Sequence, residues 1–210
     1  MERHDNSLAT LPLAVRERLD IYANLLRKWQ AKINLVGPST LDDIWMRHFG
    51  DSYQLAELAG SWRQWVDLGS GAGFPGLVIA ITASENGRVH LIESDRRKAA
   101  FLREVSRETG ANVVIHSDRI ESVLPALCER HRFDVVSARA LAPMARLIDY
   151  AGPALKNGAL GLFLKGKGLS AELTALAPDN NLDISVIESR TESDGRIVAV
   201  RAHNSETDRV

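Results

Sequence analysis

The chain reads as an α/β protein: a mostly parallel, seven-stranded sheet that closes on an antiparallel hairpin, with a helical cap in front of it. Three observations predict this. Apolar residues in the first 60 positions recur at helical spacing. After Trp65, short aliphatic runs alternate with helical segments, the texture of repeated strand-helix units. Near the end, two β-like runs flank Asp194-Gly195, a turn pair that favours a hairpin.

From Pro12 to about Asn34, the residues Val15, Leu19, Tyr22, Leu26, Trp29 and Ile33 step by four and three, a one-sided stripe that needs a covering surface. A second helical stretch is expected to start at Ser39 or Thr40, either of which could cap its orphan amides, and to stop at Gly60 after Ala59. Residues 1–62 are therefore expected to form the cap and residues 63–210 the sheet domain. Strands are predicted near 64–68, 89–93, 112–116, 133–137 and 159–164, with helices at about 75–84, 95–109, 119–130 and 141–155. The hairpin pairs Leu182–Arg190 with Ile197–Ala202 and makes the last strand antiparallel to its neighbour. The polar tail 204–210 is expected to fray.

Composition narrows the function classes. The 210 residues are 45% hydrophobic and 25% charged, near the globular average, so the chain can bury a sizeable core. The longest aliphatic run, Leu77 to Ile81, is far short of the roughly 20 apolar residues that span a bilayer. The opening Met-Glu-Arg-His-Asp-Asn mixes both charge signs, unlike a secretory signal, so the protein is expected in the cytosol. A single cysteine, Cys128, forms neither an internal disulfide nor a multi-thiolate metal site. With 26 basic and 27 acidic residues the net charge is −1, so any RNA contact must come from a local patch.

The most informative stretch runs from Trp65 to Gly76: a strand, the turn Gly69-Ser70-Gly71-Ala72-Gly73, then Phe74-Pro75-Gly76 opening a helix. Glycines let the backbone approach a ligand closely, and the helix start favours an anionic group. Twenty residues beyond Gly73 stands Glu93, placed to accept from ribose hydroxyls. Gly71 to Gly76 also satisfies the G-x-G-x-x-G fingerprint, so a nicotinamide dinucleotide has to be weighed. Asp67, ending the first strand, is expected to repel a pyrophosphate and to attract the sulfonium and ammonium of S-adenosylmethionine. Reversed last strands, characteristic of class I methyltransferases, point the same way.

Six ordered motifs then cover nearly the whole chain. They are Trp29 with Ile33-Asn34-Leu35, Arg47-His48-Phe49-Gly50-Asp51-Ser52, the strand and turn from Asp67 to Gly76, Asp118-Arg119-Ile120-Glu121, Ser137-Ala138-Arg139-Ala140 and Leu164-Lys165-Gly166. With them the sequence resembles the ribosomal small-subunit methyltransferase G family, also called glucose-inhibited division protein B. The resemblance implies a Rossmann-like class I fold and a cytoplasmic, monomeric enzyme without a metal. It implies S-adenosyl-L-methionine as donor, S-adenosyl-L-homocysteine as product, and no membrane partner. The acceptor it implies is N7 of one guanine, guanosine 527 in the 530 loop, of 16S ribosomal RNA in the small subunit or its assembly intermediate. Donor contacts are carried over to Gly69, Phe74, Ile120, Glu121 and Arg139, beside Asp67, Gly71, Gly73 and Glu93 from the turn and its acid. Glu93 stands where many relatives have Asp.

Guanine N7 carries no proton, so the chemistry asks for placement, and no catalytic triad is expected. The Asp/Asn-Pro-Pro-aromatic motif of amine methylation is missing at Ser137-Ala138-Arg139-Ala140, and Cys128 reads as packing. Arg139 suits a carboxylate or phosphate through bidentate pairing. Asn34, Arg47, His48 and Lys165 are the substrate-positioning candidates. For His48 and Asp51 an internal brace between cap and sheet is an equally good reading, and Asn34 could instead cap the first helix. Trp29, Trp45, Trp62 and Trp65 read as packing. Arg96, Arg97, Lys98, Arg103 and Arg107 give one helix a basic face, part of which is expected to touch phosphates.

Overall fold

The computed structural model describes residues 7–83, 86–176 and 181–203, so the tail expected to fray lies outside the described residues. Helix α1 (Leu13–Gln30) buries Leu19, Tyr22, Ala23 and Leu26 along the predicted stripe. It ends short of Asn34 because Gln30 turns the chain. The Gln30 side-chain carbonyl accepts from the amides of Leu35 and Val36 at 3.0 and 3.1 Å, and its N–H donates to the Val36 carbonyl at 2.8 Å.

The second helical stretch is broken, where the sequence predicts one helix. Pro38–Thr40 forms a single 3-10 turn, and Thr40 donates its hydroxyl to the Gly37 carbonyl instead of capping a helix. The chain resumes helix as a π-helical turn over Trp45–Gly50, which runs into α2 (Asp51–Ala59) and stops at Gly60. Widened turns of this kind are rare and concentrate at functional sites.

Strand β1 (Gln64–Leu68), α3 (Gly76–Thr82), β2 (Arg88–Ile92), α4 (Arg96–Thr109), β3 (Val113–His116) and α5 (Ile120–Arg130) follow the predicted alternation. Next come β4 (Val135–Arg139), α6 (Met144–Lys156), β5 (Leu160–Lys165), α7 (Leu169–Thr174), β6 (Leu182–Glu188) and β7 (Arg196–Ala202). Two details differ. β4 begins later than 133 because Asp134 is spent on the amides of Arg63 and Gln64, at 2.7 and 2.9 Å. α7 escapes prediction because six residues are too few to display a stripe.

The strand order is β3-β2-β1-β4-β5-β7-β6; the first five strands are parallel and β7 runs antiparallel to both β5 and β6. One face is covered by α1, α3 and α4 around Tyr22, Leu77, Phe101 and Leu102, the other by α5 and α6 around Leu124, Leu147 and Phe163. The segment before β1 thus shares an apolar core with the sheet. Trp65 is fully buried with Trp62 against its edge, and Trp29 donates to Glu104 of α4 at 3.1 Å, so these indoles pack as expected. Among the described residues no helix is long and apolar enough to cross a membrane.

Candidate active site

Parallel strands end together at one edge of the sheet, and the crevice there is where doubly wound folds bind ligands. The turn after β1 fills its centre. Gly69 has φ of +62°, and a Cβ there would sit 2.5 Å from Leu141, so only glycine fits. Gly73, at φ +93°, would press a Cβ onto Leu77 and the Tyr22 hydroxyl. Two outside groups hold the turn. Tyr22 of α1 donates its hydroxyl to the Ala72 carbonyl and stacks on Phe74 at 5.3 Å. Glu93, just past β2, accepts the Gly71 amide on one oxygen and the Asp95 amide on the other, both at 2.7 Å.

Three cavities meet along this edge. The first, about 280 Å³, lies between Gly69, Gly71, Glu93, Ile120, Glu121 and Arg139. The second, about 360 Å³, is walled by Leu35, Val36, Thr40 and His48 from the cap side and by Gly69–Ala72, Phe74, Lys98 and Arg139 from the sheet. The third, about 180 Å³, opens between Arg139, Lys165, Glu172, Glu192 and Arg196. Arg139 and Ala140 line all three, which makes the end of β4 the junction of the site.

Arg139 is mostly buried. One terminal nitrogen donates to the Arg47 carbonyl at 2.9 Å and lies 3.4 Å from Asp51; the other, Nη1, is buried without a partner among the described residues. Asp51 also accepts from Ser189 at 3.1 Å and from Thr191, and Arg47 pairs with Glu192 at 2.6 Å, so the π-helical turn is tied to the loop between β6 and β7. The brace reading therefore holds for Asp51. His48 lies flat on Phe74, with centroids 4.7 Å apart and planes 17° apart, and meets Thr40 at 2.8 Å. Lys165, at the end of β5, pairs with Glu172 at 2.6 Å and donates to the Ala142 carbonyl at 3.0 Å.

The predicted residues thus converge, with exceptions. Gly69, Gly71, Phe74, Glu93, Ile120, Glu121 and Arg139 line the first two cavities, and His48 and Lys165 line the second and third. Gly73 lines none and serves the turn's shape. Asn34 is exposed outside all three, and since α1 ends at Gln30 with Ala31 at its cap, it does not cap that helix either. Arg47 contributes through its backbone and its pair with Glu192. Asp67 requires a correction. Expected to face the ligand, it is fully buried beneath the turn, where one oxygen accepts from Ser137 at 2.8 Å, and Ser137 accepts in turn from the Trp65 indole at 2.8 Å. Burial pushes its carboxyl up to about 7. It lines none of the three cavities, so its carboxylate makes no direct contact with a ligand bound in them. Sequence reasoning missed Tyr22, which looks like an ordinary stripe residue, and Gln30, a polar residue with no local signal; Lys98, from the basic face expected beside the crevice, stands in the second cavity's wall. Cys128 is half-buried and its thiol is pushed up to about 11 by burial, as a packing residue requires.

The first two cavities fit a sulfonium nucleoside. Ile120 offers an apolar wall for a base, and Glu93 and Glu121 offer acceptors for hydroxyl and amino groups. The unpartnered Arg139 Nη1 asks for an acceptor such as a carboxylate. A parallel sheet that ends in a reversed hairpin, with such a cavity over a glycine turn, defines a class I methyltransferase that uses S-adenosylmethionine. Solved structures of this fold include a methyltransferase from Geobacter sulfurreducens, 17% identical with a TM-score of 0.62 over 93% of this chain and 92% of that one. They also include the O-methyltransferase TomG from Streptomyces achromogenes in complex with S-adenosylmethionine, 21% identical with a TM-score of 0.62 over 89% of this chain and 90% of that one.

Sequence comparison narrows the class. The family described as rRNA small subunit methyltransferase G matches residues 15–203. A ribosomal RNA small subunit methyltransferase G from Paramagnetospirillum magneticum is 52% identical over 88% of this chain and 87% of its own length. One from Methylobacterium radiotolerans is 49% identical over 89% and 87%. The chain belongs to the rRNA small subunit methyltransferase G family and is a methyltransferase whose donor is S-adenosylmethionine.

Proposed function

We propose that the chain methylates N7 of a single guanine, guanosine 527 in the 530 loop of 16S ribosomal RNA, by in-line attack without a general base. The observation that carries this reading is the meeting of three cavities at Arg139 and Ala140, which joins the donor site to a third opening on the same sheet edge. S-adenosylmethionine, when bound, supplies an electrophilic methyl group on a sulfonium. Guanine N7 offers a lone pair and no proton, so the protein's task is orientation, which can contribute about 7–11 kcal/mol.

The side chains suit that task. In this reading Gly69, Gly71, Glu93, Ile120 and Glu121 hold the nucleoside half of the donor, and Phe74 and Arg139 its amino-acid half. The target base enters beside His48, and Lys165, Lys167 and Arg196 meet the RNA backbone at the third opening. The carboxylates that line the third opening already have partners among the described residues: Asp51 accepts from two hydroxyls, Glu172 pairs with Lys165, and Glu192 pairs with Arg47. The cap segment, through Leu35, Val36, Thr40 and His48, acts as one wall of the site, and the enzyme works as a cytoplasmic monomer on the small subunit or its assembly intermediate.

The test is a methyl-transfer assay on small-subunit particles from cells lacking the gene, with the modified nucleotide mapped by mass. A single N7-methylguanine at position 527 supports the reading; a methyl group elsewhere, or none on any ribosomal particle, overturns it.

A further inference from the structure

His48 has one ring nitrogen accounted for and one that is not. Nε2 lies 2.8 Å from Thr40 Oγ1, and that same hydroxyl lies 2.8 Å from the Gly37 carbonyl oxygen. A carbonyl only accepts, and two oxygens this close repel unless a hydrogen lies between them. Thr40 therefore spends its one hydrogen on Gly37 and accepts from His48, so Nε2 carries the ring proton. Burial, followed by the charges of Arg139 and Arg47, pushes the imidazole down to about 3, so the ring is neutral at physiological pH. Nδ1 is left as a bare lone pair. That atom is buried and has no hydrogen-bond partner among the described residues, while the residue is only 5% exposed and lines the cavity between cap and sheet.

A buried acceptor without a donor costs free energy, and the ring that carries it lines the cavity. The charged groups lining it are Lys98 and Arg139, both cations, and no carboxylate lines it. Beside these two cations Nδ1 takes a neutral N–H more readily than a third cation, and it is the donor's carboxylate, not its ammonium, that suits Arg139. Guanine carries neutral N–H groups at N1 and its exocyclic amine, on the edge away from N7. Adenine would set its own N1 lone pair against this nitrogen.

We propose that His48 Nδ1 accepts a hydrogen bond from N1–H of the target guanine and so selects guanine over adenine, whose N1 has only a lone pair, while N7 faces the methyl group. The proposal deepens the guanine-N7 reading and rests on it. It makes the brace to Thr40 and the reading of the base two duties of one ring, one for each nitrogen.

Two isosteres separate the duties. His48→Gln can put an amide N–H where Nε2 sits, keeping the Thr40 contact but offering no acceptor at the Nδ1 position. His48→Asn can put its carbonyl oxygen where Nδ1 sits and gives up Thr40. The full-length variants are compared in kcat and KM on unmethylated small-subunit particles, with S-adenosylhomocysteine affinity and melting temperature measured alongside. The expected result is a loss of at least 30-fold in kcat/KM for His48→Gln, S-adenosylhomocysteine affinity within twofold of wild type, and at least threefold recovery in His48→Asn relative to His48→Gln. Should His48→Gln melt early, His48→Asn is compared with His48→Ala at matched folded fraction, and the same threefold advantage is expected. Wild-type kinetics in His48→Gln, or no advantage for His48→Asn, would make His48 a brace and end the proposal. A parallel loss of S-adenosylhomocysteine affinity would end it too, by giving Nδ1 to the donor's ammonium. Failure of the guanine-N7 reading itself would show in the wild-type product, independently of either variant.

Discussion

The side chain of Glu93 accepts the backbone amide of Gly71, 22 residues earlier, at 2.7 Å. An acid expected to meet only ribose therefore also fixes the turn over which the ribose would lie. Its second oxygen accepts from Asp95, whose own carboxylate caps α4 through the amides of Arg97 and Lys98 at 2.8 and 3.2 Å. Turn, acid and helix start form one hydrogen-bonded unit.

Glu93→Asp is expected to weaken S-adenosylhomocysteine binding, because the shorter chain cannot span from Gly71 to Asp95. The loss should be about tenfold, the equivalent of one hydrogen bond of about 1.4 kcal/mol. Calorimetric titration checks it, and unchanged affinity would remove Glu93 from the donor site.

Gly73→Ala should destabilise the fold by about 3 kcal/mol. The position has φ of +93°, and a Cβ there would lie 2.4 Å from Leu77 and 2.7 Å from the Tyr22 hydroxyl. Urea unfolding would measure the loss. Gly110→Ala serves as the comparison, since it shares a positive φ of 64° with open space around it and should lose less.

Arg139→Ala should lower both stability and donor affinity. It leaves Asp51, 4% exposed, without its cation and the Arg47 carbonyl without its donor, a loss of about 3 kcal/mol on the scale of broken buried pairs. Arg139→Lys keeps the charge but not the fork, and should recover more stability than S-adenosylhomocysteine affinity. Thermal melts with and without the ligand separate the two effects.

A histidine cluster away from the site predicts acid sensitivity. His90 of β2 lies 2% exposed, with Nδ1 3.1 Å from His116 Nε2 and the ring of His131 4.9 Å away. Burial, followed by the charges of His116, His131 and Arg88, pushes His90 down to about 4. Between 6.5 and about 4 the unfolded chain binds more protons at this position than the folded one, so stability present above 6.5 is lost as pH falls toward 4. A loss on the order of 2 kcal/mol is expected across that window. His90→Leu should flatten the profile in denaturant titrations at each pH; an unchanged slope would assign the acid sensitivity elsewhere.

The sequence by itself determined the element order and the class. Short aliphatic runs, helical-period stripes, the Asp194-Gly195 turn and the spacing from Gly73 to Glu93 are local signals, written into neighbouring residues and largely independent of what packs on them. Tertiary structure decided the directions of the polar side chains. Asp67 stands next to last in β1, at the ligand edge, and only the fold shows that its side chain turns onto Ser137 instead of to the cavity. The helix expected from Thr40 gives way because Gly37 and His48 both take Thr40's hydroxyl, and the stripe of α1 is cut short because Gln30 folds back on Leu35 and Val36. Tyr22 reads as a stripe residue until the fold brings its hydroxyl to the glycine turn. The bonds of Asp67 with Ser137 and of Tyr22 with Ala72 span 70 and 50 residues, so no window along the chain contains them.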